Sequence, residues 1–253
     1  DAWVTDHIPN LLWRAALLVD YPELGARAAE VERHVRQGCR HADCVLGCMA
    51  HISCLPRWDI LPLTCYPVDT HAVEPVWPAT EGTVRIVHAA NHRGFKGTDF
   101  LVAAVGRLRA EGHDVELDVV ERTTNEDALA RIAQADIYVD QLVAGYAFAA
   151  MEAMALGKVV ISPVDGTEAT QVFRRYSYLD ECPVIDASPE TIHDVLERLL
   201  ADRVSWAELA RATRRFCERR HSFDANAEMW DAIFRRIWFG EDVDLINLYH
   251  PLR

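Results

Sequence analysis

The chain has 253 residues, 50% of them hydrophobic and 26% charged, enough to bury the core of one large or two small domains. Its formal net charge of −13 speaks against a nucleic-acid partner, because binding to a phosphate backbone is driven by lysine and arginine. No apolar run approaches the ~18 residues of a membrane span and no secretory signal opens the chain, so a cytoplasmic location is expected. The start at Asp1 in place of a methionine leads to the expectation that something upstream has been removed or belongs to a different chain.

Along the chain, Leu24, Ala28, Val31 and Val35 recur at helical steps and predict a helix over 22–41. Cys44–Cys48 then reads as a short buried strand, and Asp59–Leu63 as a second extended piece leading to Pro67-Val68-Asp69. Cys39, Cys44, Cys48 and Cys54 crowd this region with His41 and His51. Their intervals of four, three and five residues miss the paired Cys-x-x-Cys pattern of structural zinc, so reduced thiols and no metal are expected. From Pro67 to Gly82 there are three prolines and no periodicity, which predicts a linker.

Beyond the linker, strand and helix patterns alternate as in a doubly wound α/β sheet. The predicted strands are Val84–Ala89, Val115–Glu121, Ile137–Asp140, Val159–Ser162 and Val184–Asp186. A helix from about Asp99 to Glu111 places Leu101, Ala104, Val105 and Leu108 on one face, with Thr98 or Asp99 as cap and Gly112 as stop. Further helices are expected near 126–134, 147–156 and 190–201. In the last, Ser188 and Pro189 form the start signal and Ile192, Val195, Leu196 and Leu199 the buried stripe. Two more helices, about 205–220 and 224–238, close the chain. The second carries Trp230, Ile233, Phe234, Ile237 and Trp238, a stripe that must be covered. The basic run Arg211–Arg220 offers a peripheral contact to anionic lipid headgroups.

Two loops carry chemistry. The first strand ends in His88-Ala89-Ala90-Asn91-His92-Arg93-Gly94-Phe95-Lys96-Gly97-Thr98, a glycine-flanked turn with two cations that opens onto a helix and suits a diphosphate. The third strand opens into Asp140-Gln141, then Gly145-Tyr146-Ala147-Phe148 and a short helix that ends at Gly157. In an open α/β sheet such loops lie at the carboxyl ends of the strands, where helix N-terminal amides face a ligand.

The run Gly145-Tyr146-Ala147-Phe148-Ala149-Ala150-Met151-Glu152-Ala153-Met154-Ala155-Leu156-Gly157-Lys158-Val159-Val160-Ile161 resembles the donor-binding segment of retaining glycosyltransferases of the GT-B fold, family 4 in particular. The resemblance covers residues 84–235. It implies that Glu152 binds the ribose hydroxyls of a nucleotide sugar and that Gly145, Tyr146 and Ala147 offer backbone amides to the phosphate or the transferred sugar. Lys96-Gly97 matches the phosphate-binding pair of the family. The family's arginine lies farther upstream, where Ala90 and Asn91 stand here, so Arg93, three residues before the lysine, is its substitute. The first glutamate of the family pattern falls on Ala144, and Asp140 or Gln141 is the expected replacement for its contact to the donor sugar; the alternative is that Asp140 only caps the loop.

The resemblance further implies catalysis by Arg93 and Lys96 on the leaving diphosphate, with Asn91, His92, Gly94 and Gly97 around it. No catalytic metal and no cofactor are implied, only a UDP- or GDP-linked sugar as substrate. Asp242-Val243-Asp244 looks like a metal-binding Asp-x-Asp, but its place beyond the last helix makes it a coincidence. The implied division is a remnant of the acceptor domain over 1–67, a linker over 68–82, a nucleotide-sugar-binding Rossmann-like domain over 83–222, and a terminal helix and tail over 223–253 that crosses back to the first domain. The activity implied is retaining transfer of a hexose to a sugar or lipid-linked acceptor, in a protein free to form oligomers. The alternative is a non-catalytic scaffolding module of the same fold.

Overall fold

The computed structural model describes residues 11–47, 55–61, 66–165 and 181–245. Its first part contains α1 (Leu11–Asp20), α2 (Leu24–His41), β1 (Val45–Leu46) and β2 (Ile60–Leu61), the two strands pairing in parallel. In α2 the stripe Ala28, Val31 and Val35 is half-buried, and Val31 and Val35 face the cluster formed by Trp13 and Leu17 of α1. The sequence pattern had not singled out α1, a nearly uninterrupted apolar stretch without polar punctuation. Cys48, His51 and Cys54 lie outside the described residues.

The larger part runs β3 (Val84–Ala89), α3 (Arg93–Lys96), α4 (Thr98–Ala110), β4 (Val115–Val120), α5 (Asn125–Ala133), β5 (Ile137–Val139), α6 (Phe148–Ala155), β6 (Val159–Ile161), α7 (Ile192–Ala201), α8 (Trp206–Arg220) and α9 (Phe223–Trp238). Its sheet is parallel in the order β4-β3-β5-β6, with Ile86 opposite both Leu117 and Ile137, and Tyr138 opposite Val160.

Parallel strands covered on both faces read as continuous apolar runs, as β5 and β6 do. Val87, Tyr138 and Val160 point to one face, against Met151, Met154 and Phe216. Ile86, Ile137, Val139, Val159 and Ile161 point to the other, against Leu101, Val105, Leu108, Leu196 and Trp206. The period-two alternation thus decides which helices each strand residue meets.

Three expectations are corrected. The predicted fifth strand over Val184–Asp186 is a single bridge from Ile185 to Ile161, since Asp186 turns its carboxylate onto the Val164 and Asp165 amides instead of extending the ladder. The N-cap of α4 is Gly97, in the left-handed region, because Thr98 is buried with its hydroxyl against His88 and Asp99 faces Arg93. The N-cap of α7 is Thr191, and Ser188 forms the preceding turn, its carbonyl accepting from Ile192.

Among the described residues, the 67–82 segment, read as a linker, has no helix or strand beyond a single bridge from Val68 to Ser222, and it is fastened to the body. Val76 donates to the Leu156 carbonyl, Arg214 donates to the carbonyls of Thr70 and Val73, and buried Lys158 donates to those of Val76 and Ala133. Trp77 lies so close over Gly157, at φ 69°, that a Cβ there would fall 2.7 Å from its ring.

The stripe of α9 is partly covered by the first part. Met229 and Ile233 pack on Leu61, joined by Cys44, Leu46, Trp230 and Ile237. Phe234 stacks between Trp230 and Trp238, and Trp238 remains exposed. Among the described residues, no helix is long and apolar enough to cross a membrane.

Candidate functional site

The sheet order puts β3 between β4 and β5, so the chain leaves β3 to one side and β5 to the other. Crevices for ligands open at such a switch point, beyond the carboxyl ends of the strands. The loop of residues 90–97 follows β3 and the loop of residues 140–147 follows β5. Both expected donor loops therefore meet at one place.

They are bolted together by a buried ion pair. Lys96 Nζ donates to Asp140 Oδ1 at 2.8 Å, and the Leu142 amide donates to the Lys96 carbonyl at 3.1 Å. Asp140 is completely buried, and its second oxygen accepts the Ala147 amide at 2.6 Å, at the N-cap of α6. A buried carboxylate needs such donors, and a helix N-terminus favours its charge. The Ala147 amide expected to face a phosphate is thus already given to Asp140. Asp140 caps the loop and does not point a free carboxylate at the crevice. Gln141 donates to the Gly145 carbonyl across the same turn, and Tyr146 is buried with its hydroxyl 3.0 Å from His221 Nε2.

Behind Lys96, His88 stands between the Val139 carbonyl and the Thr98 hydroxyl, each 2.8 Å away. Burial pushes its pKa down, aided by the nearby Lys96 charge, so the ring is neutral. Gly97 makes the turn from α3 into α4 at φ 73°, and a Cβ there would stand 3.0 Å from that of Leu142.

Arg93 is exposed, on the outer side of the turn. Its guanidinium bonds Asp99 at 2.5 Å and Glu121 at 2.9 Å, and these two carboxylates hold its pKa above the ordinary value. Asn91 is exposed beside it, and half-buried His92 accepts or donates to the Tyr21 hydroxyl in a short contact.

Glu152, on α6, is half-buried and accepts from Asn125 Nδ2 at 3.0 Å. Loss of hydration pushes its pKa to about 7. Below it, the Tyr138 hydroxyl is buried with no hydrogen-bond partner among the described residues.

The sequence reading missed the cover over this site. Trp13 and Leu17 of α1 pack on Val143, Ala144 and Phe95, with the Trp13 and Phe95 rings edge to face at 5.0 Å. Ala144 is only 4% exposed there. Asp20, at the end of α1, accepts the Phe95 amide at 2.9 Å and sits against Gly94, whose absent side chain leaves room for the carboxylate. The signal available was the apolar stretch Leu11–Val19, closed by Asp20, but nothing local says what it covers.

Among solved structures, the chain is similar to sucrose-phosphate synthase from Thermosynechococcus elongatus at 17% identity and a TM-score of 0.57, over 83% of this chain and 63% of that one. It is similar to Anabaena HepE in complex with UDP-glucose at 12% identity and a TM-score of 0.55, over 81% of this chain and 67% of that one. A glycosyltransferase from Rickettsia africae ESF-5 aligns at 11% identity and a TM-score of 0.52, over 72% and 58%. The chain thus spans about two thirds of the length of these proteins. No protein-family model matches the sequence, and no curated protein matches it significantly.

Proposed function

The architecture is that of GT-B glycosyltransferases, and we propose that the chain carries the nucleotide-sugar-binding part of such an enzyme. The observation that carries this reading is the junction of the two loops at the switch point. Lys96 and the loop of residues 140–147 are fixed to each other there, with Glu152 one helix turn beyond. HepE is described with UDP-glucose and with UDP, which supports a UDP-sugar as the first donor to test, with GDP as the second.

In the proposed reaction the donor diphosphate lies against Lys96, and Glu152 accepts the ribose hydroxyls. Asp140 uses one of the three ammonium donors of Lys96, leaving others for phosphate oxygens. The cation stabilises the charge that grows on the departing diphosphate as the bond to the anomeric carbon breaks. A hexose passes to a sugar or lipid-linked acceptor with retention, and the diphosphate takes the acceptor proton. Residues 1–67 form a remnant of the acceptor side, residues 83–222 the donor domain, and α9 with its tail the return to the first domain. No metal or cofactor is required in this scheme.

Arg93 favours a second reading. Its guanidinium is held by Asp99 and Glu121, so it reaches a diphosphate only by leaving them. A non-catalytic module of the same fold would keep this arrangement and bind no nucleotide.

Calorimetric titration of the chain with UDP, GDP and ADP separates the two. Saturable binding of UDP or GDP, weakened about 10- to 150-fold in Lys96→Ala, is the expected result. Absence of binding by all three to folded protein would favour the scaffolding module.

A further inference from the structure

The far end of α4 carries a group of side chains that the donor site does not use. Helix α4 starts beside Lys96 and runs for 13 residues, about 20 Å, to the opposite edge of the sheet. There Glu111 and His113 follow its last turn and face His193, Asp194 and Glu197 of α7. Glu111, His113 and Glu197 each present one ligand atom within 4.8 Å of the other two, and His193, Asp194 and Glu197 do the same. Glu111 Oε2 also lies 3.0 Å from His193 Nε2, which joins the two groups.

We propose that Glu111, His113, His193 and Glu197 form a binding site for a divalent transition-metal ion of the zinc type, separate from the donor crevice. Four features carry the assignment. The set mixes two imidazoles with carboxylates, the ligand chemistry of Zn²⁺, whereas Mg²⁺ and Ca²⁺ prefer oxygen alone. His193 and Glu197 are four residues apart on one helix and so share a face, as paired metal ligands on helices do.

The supporting frame is rigid as well. Leu101, Val105 and Leu108 of α4 interlock with Ile192, Val195, Leu196 and Leu199 of α7, so the two halves of the site are pre-set against each other. Finally, His193 already has the outer partner a ligating histidine needs. Asp194 Oδ1 stands 3.0 Å from Nδ1 and Glu111 Oε2 3.0 Å from Nε2, so the ion-free ring donates from both nitrogens when protonated; an ion would replace the proton on Nε2 while Nδ1–H stays on Asp194.

The local charge suits a cation. Three carboxylates converge, opposed by Arg107, which holds only Oε1 of Glu111, and by the nearby Arg198. The carbonyl end of α4 adds partial negative charge. An ion here would pin α4 to α7, and through α4 steady the turn at Gly97 that carries Lys96.

The test is calorimetric titration of Zn²⁺ into the full, tag-free chain and into His113→Ala, Glu197→Gln and Asp194→Asn, with circular dichroism as the folding check. The expected result is one saturable zinc equivalent in the parent chain, at least tenfold weaker in His113→Ala and in Glu197→Gln. Asp194→Asn should weaken it about 10- to 100-fold through the orientation of His193. Ca²⁺ and Mg²⁺ should bind far more weakly than zinc. The proposal is overturned by no saturable zinc binding in the parent chain, by equal affinity in the folded variants, which would move the ion to the cysteines of the first part, or by Ca²⁺ or Mg²⁺ binding as tightly as zinc.

Discussion

Lys96 Nζ and Asp140 Oδ1 stand 2.8 Å apart at the ends of two different loops, and both side chains are buried. The pair closes the switch point of the sheet from within. It therefore links the stability of the loops to the position of Lys96, the cation proposed to meet the donor diphosphate.

Removing Asp140 strands the Lys96 charge and frees the Ala147 amide. Asp140→Ala should lose about 3–5 kcal/mol of stability, the usual result of breaking a buried pair from one side. Chemical denaturation measures this. A loss below about 1 kcal/mol would show that the pair does not hold the two loops together.

Glu152 gives a pH dependence whose sign is fixed by its cause. Burial raises its pKa to about 7, above the ordinary carboxylate value of 4.5, so the folded state holds the proton more tightly than the unfolded chain. Its contribution to stability is complete below about 4.5 and is lost as pH rises through about 7. Affinity for a nucleoside diphosphate should move the other way, rising across pH 7 as the carboxylate gains full capacity to accept two hydroxyls. Glu152→Gln should abolish that rise in a titration series from pH 6 to about 8. A series of equal slope in both proteins would remove Glu152 from the nucleotide site.

Gly97 and Gly112 both have positive φ, at 73° and 96°, but their surroundings differ. A Cβ on Gly112 meets open space, whereas one on Gly97 meets Leu142 at 3.0 Å. Gly112→Ala should cost only the left-handed backbone penalty, about 1–2 kcal/mol. Gly97→Ala should cost more and should also reduce nucleotide binding, because Leu142 and Lys96 must shift apart. Thermal melts paired with nucleotide titration check both; equal effects of the two substitutions on binding would contradict the account.

At Ala144, restoring the carboxylate found in the family pattern should not rebuild a donor contact. The position is buried among the apolar side chains of Trp13, Leu17 and Val143. Ala144→Glu should overpack it, destabilising the protein by about 1–3 kcal/mol and displacing α1. A red-shifted emission from Trp13, read against a Trp13→Phe control, reports the displacement. Unchanged emission together with improved sugar-nucleotide affinity would mean that α1 leaves the loop freely.

Lys158 is buried with its ammonium on the carbonyls of Val76 and Ala133, and lost hydration lowers its pKa from 10.5 to about 8. The folded state thus binds this proton less tightly than the unfolded chain, and the resulting penalty fades as pH rises from about 8 to 10.5. Lys158→Met leaves the part-buried carbonyls of Val76 and Ala133 without this donor, a loss of about 1–3 kcal/mol in all. It should open residues 70–80 to limited proteolysis before the sheet melts; protection equal to that of the parent chain would assign the fastening to Arg214 and the Val76–Leu156 bond.

The order of the four paired strands and of the longer helices from residue 84 onward was legible because each carries its own local signal. Alternating or continuous apolar runs mark the strands, the 3.6-residue stripe of Leu101, Val105 and Leu108 marks α4, and Gly112 and Gly157 supply left-handed stops. The segment from Gly145 to Ile161 likewise named its loop and helix by composition alone. What tertiary structure decided is who meets whom. That Asp140 caps its loop was one of two readings of the sequence, but nothing near it in sequence says that it faces Lys96, 44 residues away, or that the amide it takes is that of Ala147. The cover of Ala144 by α1, the hold of Asp99 and Glu121 on Arg93, and the convergence of His113 with Glu197 belong to the same class. Backbone propensity and periodicity act over a few residues, whereas the pairing of buried charges and the closing of apolar surface are settled only when distant segments compete for one interior.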